Sequence, residues 1–333
     1  MTKEKQIETE SQRKDREELD NYRVIAAHLV PTLDDLPKLD RYEIYGGCFP
    51  LKDVVGGGDH IGFFDFGRMF DFDVLIKNAK KNRNISRRKR KNSSQFNSLI
   101  NKLEETSKKA GILISDAAGH AMTDSSVSNS AYLMFNTALL YEIERNGEVT
   151  LEVIENINNV LAHRFTSRLK QGSHKFLTML YGELSPQNNS FRYVSAGHPS
   201  PILYSGNLER IISLEENQRE SGFAMGVVEN KSHINWKSTP NVQVVDDDYK
   251  VNEISLKEPG DFILLHSDGL AEHTIADYKV KRRGSYRNHR LPKLLDDLKV
   301  ESARNVVSEV YKNMKESAEI EDDVTLCVVK RVE

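Results

Sequence analysis

Three apolar runs in this 333-residue chain abut an aspartate, and that arrangement limits the fold more than any other feature. Asp116 directly follows Gly-Ile-Leu-Ile-Ser, and Asp268 directly follows Phe-Ile-Leu-Leu-His-Ser. Asp322-Asp323 directly precedes Val-Thr-Leu-Cys-Val-Val, and Asp59 closes a fourth segment, Val-Gly-Gly-Gly-Asp. Short continuous apolar runs bounded by turn residues read as strands with both faces buried. An aspartate at the tip of such a strand stands on rigid backbone, neither in the core nor free on the surface.

The remaining pattern extends this reading. Residues from about Lys5 to Val30 read as a helix ended by Pro31 and Pro37. Strand patterns follow at Tyr42–Phe49, Phe70–Ile76 and Gly111–Ser115. Helical spacing covers Gln95–Lys109, Ser130–Glu144 and Leu151–Leu169. Strand-like runs return at Phe176–Leu184, Phe191–Ser195, Ile202–Tyr204, Val251–Leu256 and Phe262–His266. Helices over Leu291–Leu298 and Ala303–Ser317 and a strand over Val324–Val329 close the chain. Strands, central helices, more strands and terminal helices predict an α+β fold, with two mainly antiparallel sheets between helical layers. The expected division is a helical arm and linker over 1–39 and one domain over 40–333.

Charge is distributed unevenly. The formal net charge is −3, yet Lys77 to Lys109 holds twelve Lys/Arg against two Glu, so the rest of the chain carries −13. The segment 77–94, with Arg87-Arg88-Lys89-Arg90-Lys91, is expected to be a mobile basic insertion, because repelling charges build no core. Such a block suits nucleic acid, an acidic partner or an anionic membrane. The segment lacks aromatics to interleave with bases, which makes nucleic acid the weakest of these. No apolar run is long enough for a membrane span, and the N-terminus lacks a signal-peptide core. Cys48 and Cys327 form no metal or disulfide spacing, so the cytoplasm is the expected compartment.

One strand-end aspartate is an ordinary turn cap. Four gathered at one sheet end would repel one another unless a cation lay between them. Mg²⁺ and Mn²⁺ take oxygen ligands of this kind. A metal pair also answers the slowness of phosphate-ester hydrolysis, by activating water and neutralising phosphate oxygens. No P-loop, nucleophile elbow or His-Glu-x-x-His motif competes with this reading.

The ordered motifs Val55-Gly56-Gly57-Gly58-Asp59, Ser115-Asp116-Ala117-Ala118-Gly119-His120, Ser195-Ala196-Gly197-His198-Pro199, Ser267-Asp268-Gly269 and Asp322-Asp323-Val324-Thr325-Leu326 together resemble one family. It is the PPM superfamily of metal-dependent Ser/Thr phosphatases, in its bacterial SpoIIE/RsbU-type branch. The resemblance implies an α-β-β-α sandwich and a phosphoprotein phosphatase using two ions, Mn²⁺ or Mg²⁺, with attack by a metal-bridging hydroxide. It implies that Asp116 bridges the ions and that Asp268 and Asp322 complete one site. The Ala117 carbonyl and Asp59 would serve the other, and Asp323 would hold the closing loop. Asp116 and Asp268 are the catalytic candidates. The implied substrate is a phosphoprotein, an anti-sigma-factor antagonist for this branch, and the arm is a candidate homodimer contact.

The chain departs from the family pattern in three places. Asp59 is followed by His60-Ile61-Gly62, the segment from Asp59 to Asp116 is long, and Ala118 stands where eukaryotic relatives carry a general-acid His. These departures keep a catalytically weak scaffold or partner-binding module open as the alternative.

Overall fold

The computed structural model describes residues 13–14, 17, 21, 30–51, 57–89, 93–118, 122–168, 176–230, 244–245, 249–277 and 282–333. The expected helix over Lys5–Val30 lies outside the described residues, apart from Arg13, Lys14, Glu17, Asn21 and Val30.

Strand β1 (Tyr42–Phe49) is followed by β2 (Asp59–Asp65), then a helical hairpin of α1 (Phe72–Arg88) and α2 (Ser94–Thr106). After β3 (Ala110–Ala117) come α3 (Met122–Asn146) and α4 (Leu151–Arg168). The chain continues through β4 (Leu177–Ser185), β5 (Ser190–Ala196), β6 (Ile202–Ser205), β7 (Arg210–Ile212), β8 (Asn252–Ser255) and β9 (Phe262–His266). It ends with α5 (Leu291–Asp297), α6 (Ala303–Ser317) and β10 (Val324–Arg331).

Two five-stranded sheets result, in the orders β1-β10-β9-β6-β7 and β8-β5-β4-β3-β2. Every neighbouring pair in them is antiparallel. Alternate residues of a strand point to opposite faces. Ile112, Ile114, Ile263, Leu265, Cys327 and Val329 therefore fill the space between the sheets. Leu113 faces outward onto Phe135, Leu139 and Ile154 of α3 and α4. Leu264, Leu326 and Val328 face the other way, onto Val306, Val310 and Met314 of α6. The strands carry unbroken apolar runs because both of their faces are covered, and the expected α+β sandwich is what forms.

Two expectations are corrected. The segment 77–94 is not a loop for most of its length, since α1 runs to Arg88; nor is Phe70–Ile76 a strand. Asp71 caps the helix by accepting from Val74 N at 3.0 Å. Phe72 and Ala79 are buried, and Leu75 and Ile76 pack on the core. The cations occupy the solvent side, where water screens their repulsion, so they do not prevent an amphipathic helix. β2 was also missing from the sequence reading.

Candidate functional site

The four acidic positions meet at one end of the sandwich, two from each sheet. On the second sheet Asp59 opens β2 and stands directly across from Asp116 near the end of β3, which in turn faces Thr178 on β4. On the first sheet β9 ends at His266, and Asp268 begins a one-turn helix to Ala271. Asp322 and Asp323 lead into β10, the neighbour of β9. Ser267 ties those two tips together: its N–H donates to Thr325 O at 3.1 Å, and its Oγ accepts from Thr325 N at 2.9 Å.

The electrostatics record this convergence. The Asp116 carboxyl is pushed up to about 8, first by burial, then by Asp268, Asp322, Asp323 and Glu272. Asp59 is also raised well above the carboxylate range, by burial and then by Asp116, while the hydroxyls of Ser267 and Thr325 act the other way. Its buried Oδ2 has no hydrogen-bond partner. Carboxylates kept protonated by burial and by one another's charge would be relieved by a cation.

Asp323 has a different position from its neighbour Asp322. Its Oδ1 accepts from Leu51 N at 2.7 Å and its Oδ2 from Gly58 N at 2.8 Å. The Gly58 carbonyl accepts from Ala117 N at 3.1 Å and from the Ser128 hydroxyl. One residue therefore links the loop before Asp59 to both sheets, and it aims Asp59 at Asp116. A Cβ at Gly57 would lie 2.0 Å from Asp323 Oδ2, and one at Gly269 would lie 2.0 Å from the Asp323 carbonyl oxygen. Gly269→Ala should thus displace the Asp322-Asp323 turn, at a cost of about 1–3 kcal/mol. A lowered urea midpoint and a larger loss of turnover than of stability are the expected results; unchanged values of both would show that the close approach is unimportant.

Beneath the acids lies a buried histidine pair. His198 Nδ1 is 2.9 Å from Thr178 Oγ1, and His266 Nδ1 is 2.9 Å from Ser267 O. Burial holds His198 down at about 3, with a further push from His266, and holds His266 at about 4. Both are neutral props that connect the strand facing Asp116 to the residue before Asp268. His60 is likewise buried and held at about 4, its ring 4.4 Å from that of Tyr132. Sequence reasoning passed over Glu272, His266, Thr178 and Ser267. The only signal for Glu272 was its place one turn after Asp268. His120 lies outside the described residues.

The family profile described as Stage II sporulation protein E (SpoIIE) matches residues 106–332. The chain belongs to the SpoIIE family. Three solved structures share its PP2C-type fold. The SiaA PP2C domain of Pseudomonas aeruginosa is 16% identical with a TM-score of 0.57, covering 97% of this chain and 99% of that one. The PP2C phosphatase domain and regulatory fragment of SpoIIE from Bacillus subtilis are 15% identical with a TM-score of 0.56, covering 88% and 64%. The RsbU and RsbW domains of Rv1364c from Mycobacterium tuberculosis are 17% identical with a TM-score of 0.55, covering 89% and 62%. The chain thus spans less than two thirds of the last two. A search among curated proteins found no match.

Within this SpoIIE-family site the donor set suits hard divalent ions, all oxygen with one orphaned carboxylate atom. Among the described residues no three His, Cys, Asp or Glu side chains stand close enough to enclose one ion. Mg²⁺ keeps several waters and is usually held by one or two carboxylates, so the residues fit ions bound partly through water.

Proposed function

We propose that this chain is a phosphoprotein phosphatase that uses two divalent cations, Mn²⁺ or Mg²⁺, to remove phosphate from phosphoserine or phosphothreonine in bacterial signalling. One observation carries the reading: two aspartates from each sheet converge, and Asp116 is pushed up to about 8, by burial first and then by Asp268, Asp322 and Asp323. When bound, such ions supply an activated water near neutral pH and neutralise the phosphate oxygens. Asp116, central in the group, would be shared by both ions. Asp268 and Asp322 would hold one of them, and Asp59 and the Ala117 carbonyl the other.

Among the described residues, the other candidate groups fit catalysis poorly. Burial pushes the thiols of Cys48 and Cys327 far up, so neither is a thiolate nucleophile. His60, His198 and His266 are buried and neutral, and so are poor proton donors to a leaving group at the surface. The leaving oxygen would take its proton from solvent, which fits Ala118 in place of a histidine. The substrate we favour is a small phosphoprotein, an anti-sigma-factor antagonist, on the strength of the SpoIIE/RsbU resemblance. The cytoplasm is the matching compartment, and the arm the matching dimer contact.

A phosphoserine protein should be dephosphorylated with Mn²⁺ or Mg²⁺ and not in excess chelator; full activity in chelator would sink the proposal. A second reading, a catalytically weak scaffold, is favoured by the lack of a three-acid group around one point among the described residues. Titration calorimetry separates the two, because a scaffold of that kind would bind Mn²⁺ weakly or not at all.

A further inference from the structure

The outer face of α1 takes no part in this site. Lys77, Lys80, Lys81, Arg87 and Arg88 of the helix, and Lys89 just past its end, are exposed, and among the described residues none forms an ion pair. From residue 77 to 91 the sequence holds nine Lys/Arg and no acid, although the rest of the chain is strongly acidic. Val74, Lys81, Ile85 and Arg88 follow one another at helical spacing on the side opposite buried Phe72 and Ala79. Val74 and Ile85 are 48% and 40% exposed. α1 is about 25 Å long and cannot roll its apolar side outward, because that side is fixed on α2 and the core.

We propose that this face docks the chain on an anionic lipid bilayer. Several features favour that occupant. Among the described residues the cations form no ion pair, and they are spread along the helix with Lys outnumbering Arg among the exposed six, whereas protein interface cores are poor in Lys and rich in aromatics. The face offers no aromatic platform for bases. Two aliphatic tips among the cations suit a headgroup layer, and polybasic helices of this kind adsorb to anionic lipid. The acidic remainder would be turned away from the membrane, which orients the chain. α1 is attached at the Asp65 end of β2, about 20 Å along the strand from Asp59, so docking leaves the acidic site a separate function. No described helix is long and apolar enough to cross a membrane.

The test is flotation of the full chain with vesicles of phosphatidylglycerol and phosphatidylcholine, against phosphatidylcholine alone. Binding is expected only to the anionic vesicles, weakening as salt is raised. Each basic residue contributes about fivefold to partitioning, so the triple variant Lys77→Glu, Lys81→Glu, Arg88→Glu should lose at least about 100-fold. Its melting temperature and its phosphatase rate without vesicles should match wild type, showing that the fold is intact. Three results would overturn the proposal: wild type that ignores anionic vesicles, a triple variant that binds them equally well, or tighter capture by duplex DNA or polyglutamate than by vesicles.

Discussion

Asp116→Asn should lower phosphatase turnover by about a thousandfold or more while the metal-free protein becomes harder to unfold. Both effects follow from where the residue sits. Its carboxyl is the one acted on by Asp268, Asp322, Asp323 and Glu272 together, so it occupies the centre of the acidic group. Asparagine keeps the shape and removes the charge that ions would neutralise; loss of a single electrostatic contact of this type costs about 10²–10³ in rate, and a residue shared by two ions costs more. Without metal the same change relieves like-charge repulsion, so the variant should melt above wild type in chelator. Added Mn²⁺ should raise the wild-type melting temperature and leave that of the variant nearly unmoved. A variant with near-wild-type turnover would remove Asp116 from the centre of the mechanism. A variant that melts lower in chelator would mean that the carboxyl makes a stabilising contact instead.

The strands that end in acids were legible because each lies between two apolar layers. Ile112, Leu113 and Ile114 must all be apolar when odd and even positions face different cores, and the run then stops where solvent begins. The same logic made Phe262–His266 and Val324–Val329 readable. β2 escaped because Gly62 interrupts its apolar pattern and an Asp and a His open it. α1 escaped for a different reason. Its charges outnumber its apolar residues, and only the core against which Phe72 and Ala79 pack shows that one face is buried. Local charge density argued for disorder, and tertiary burial decided otherwise.

The chemistry was legible in kind and less so in its supports. A sequence can show that Asp322 and Asp323 adjoin a strand, but not that Asp323 turns both oxygens to Leu51 and Gly58. Nor does it show that His198, just after β5, meets His266 at the end of β9, because those two strands belong to different sheets. Each depends on a contact between segments more than sixty residues apart, for which spacing along the chain carries no signal. The supports matter because a carboxylate misdirected by a fraction of an ångström changes what it can hold.

In chelator, the protein should lose stability as pH rises from about 6.5 to about 8. Asp116 ordinarily titrates at 3.8 and is pushed up to about 8 in the fold, so between those values the folded chain holds a proton that the unfolded chain has released. Stability must fall with pH wherever the folded state binds more protons. Asp59, raised in the same sense and interacting with Asp116, adds to the slope, and the two titrate as a pair. Four histidines oppose them, His273 among them, lowered by burial. His60, His198 and His266 are held near 4, 3 and 4 against an ordinary 6.5, so they add stability as pH rises towards 6.5. Above 6.5 the unfolded histidines give up their remaining protons, so their opposing slope fades by about pH 7.5 and the acids dominate the upper part of the window. Mn²⁺ should reverse the slope there, because ions compete with protons for the same oxygens and bind more tightly as pH rises. Urea midpoints at pH 6.5 and 8, with chelator and with Mn²⁺, give the four values needed. A metal-free midpoint that rises across that window would mean the four aspartates do not share one site, and a Mn²⁺ effect no larger at pH 8 than at 6.5 would mean the ions do not displace their protons.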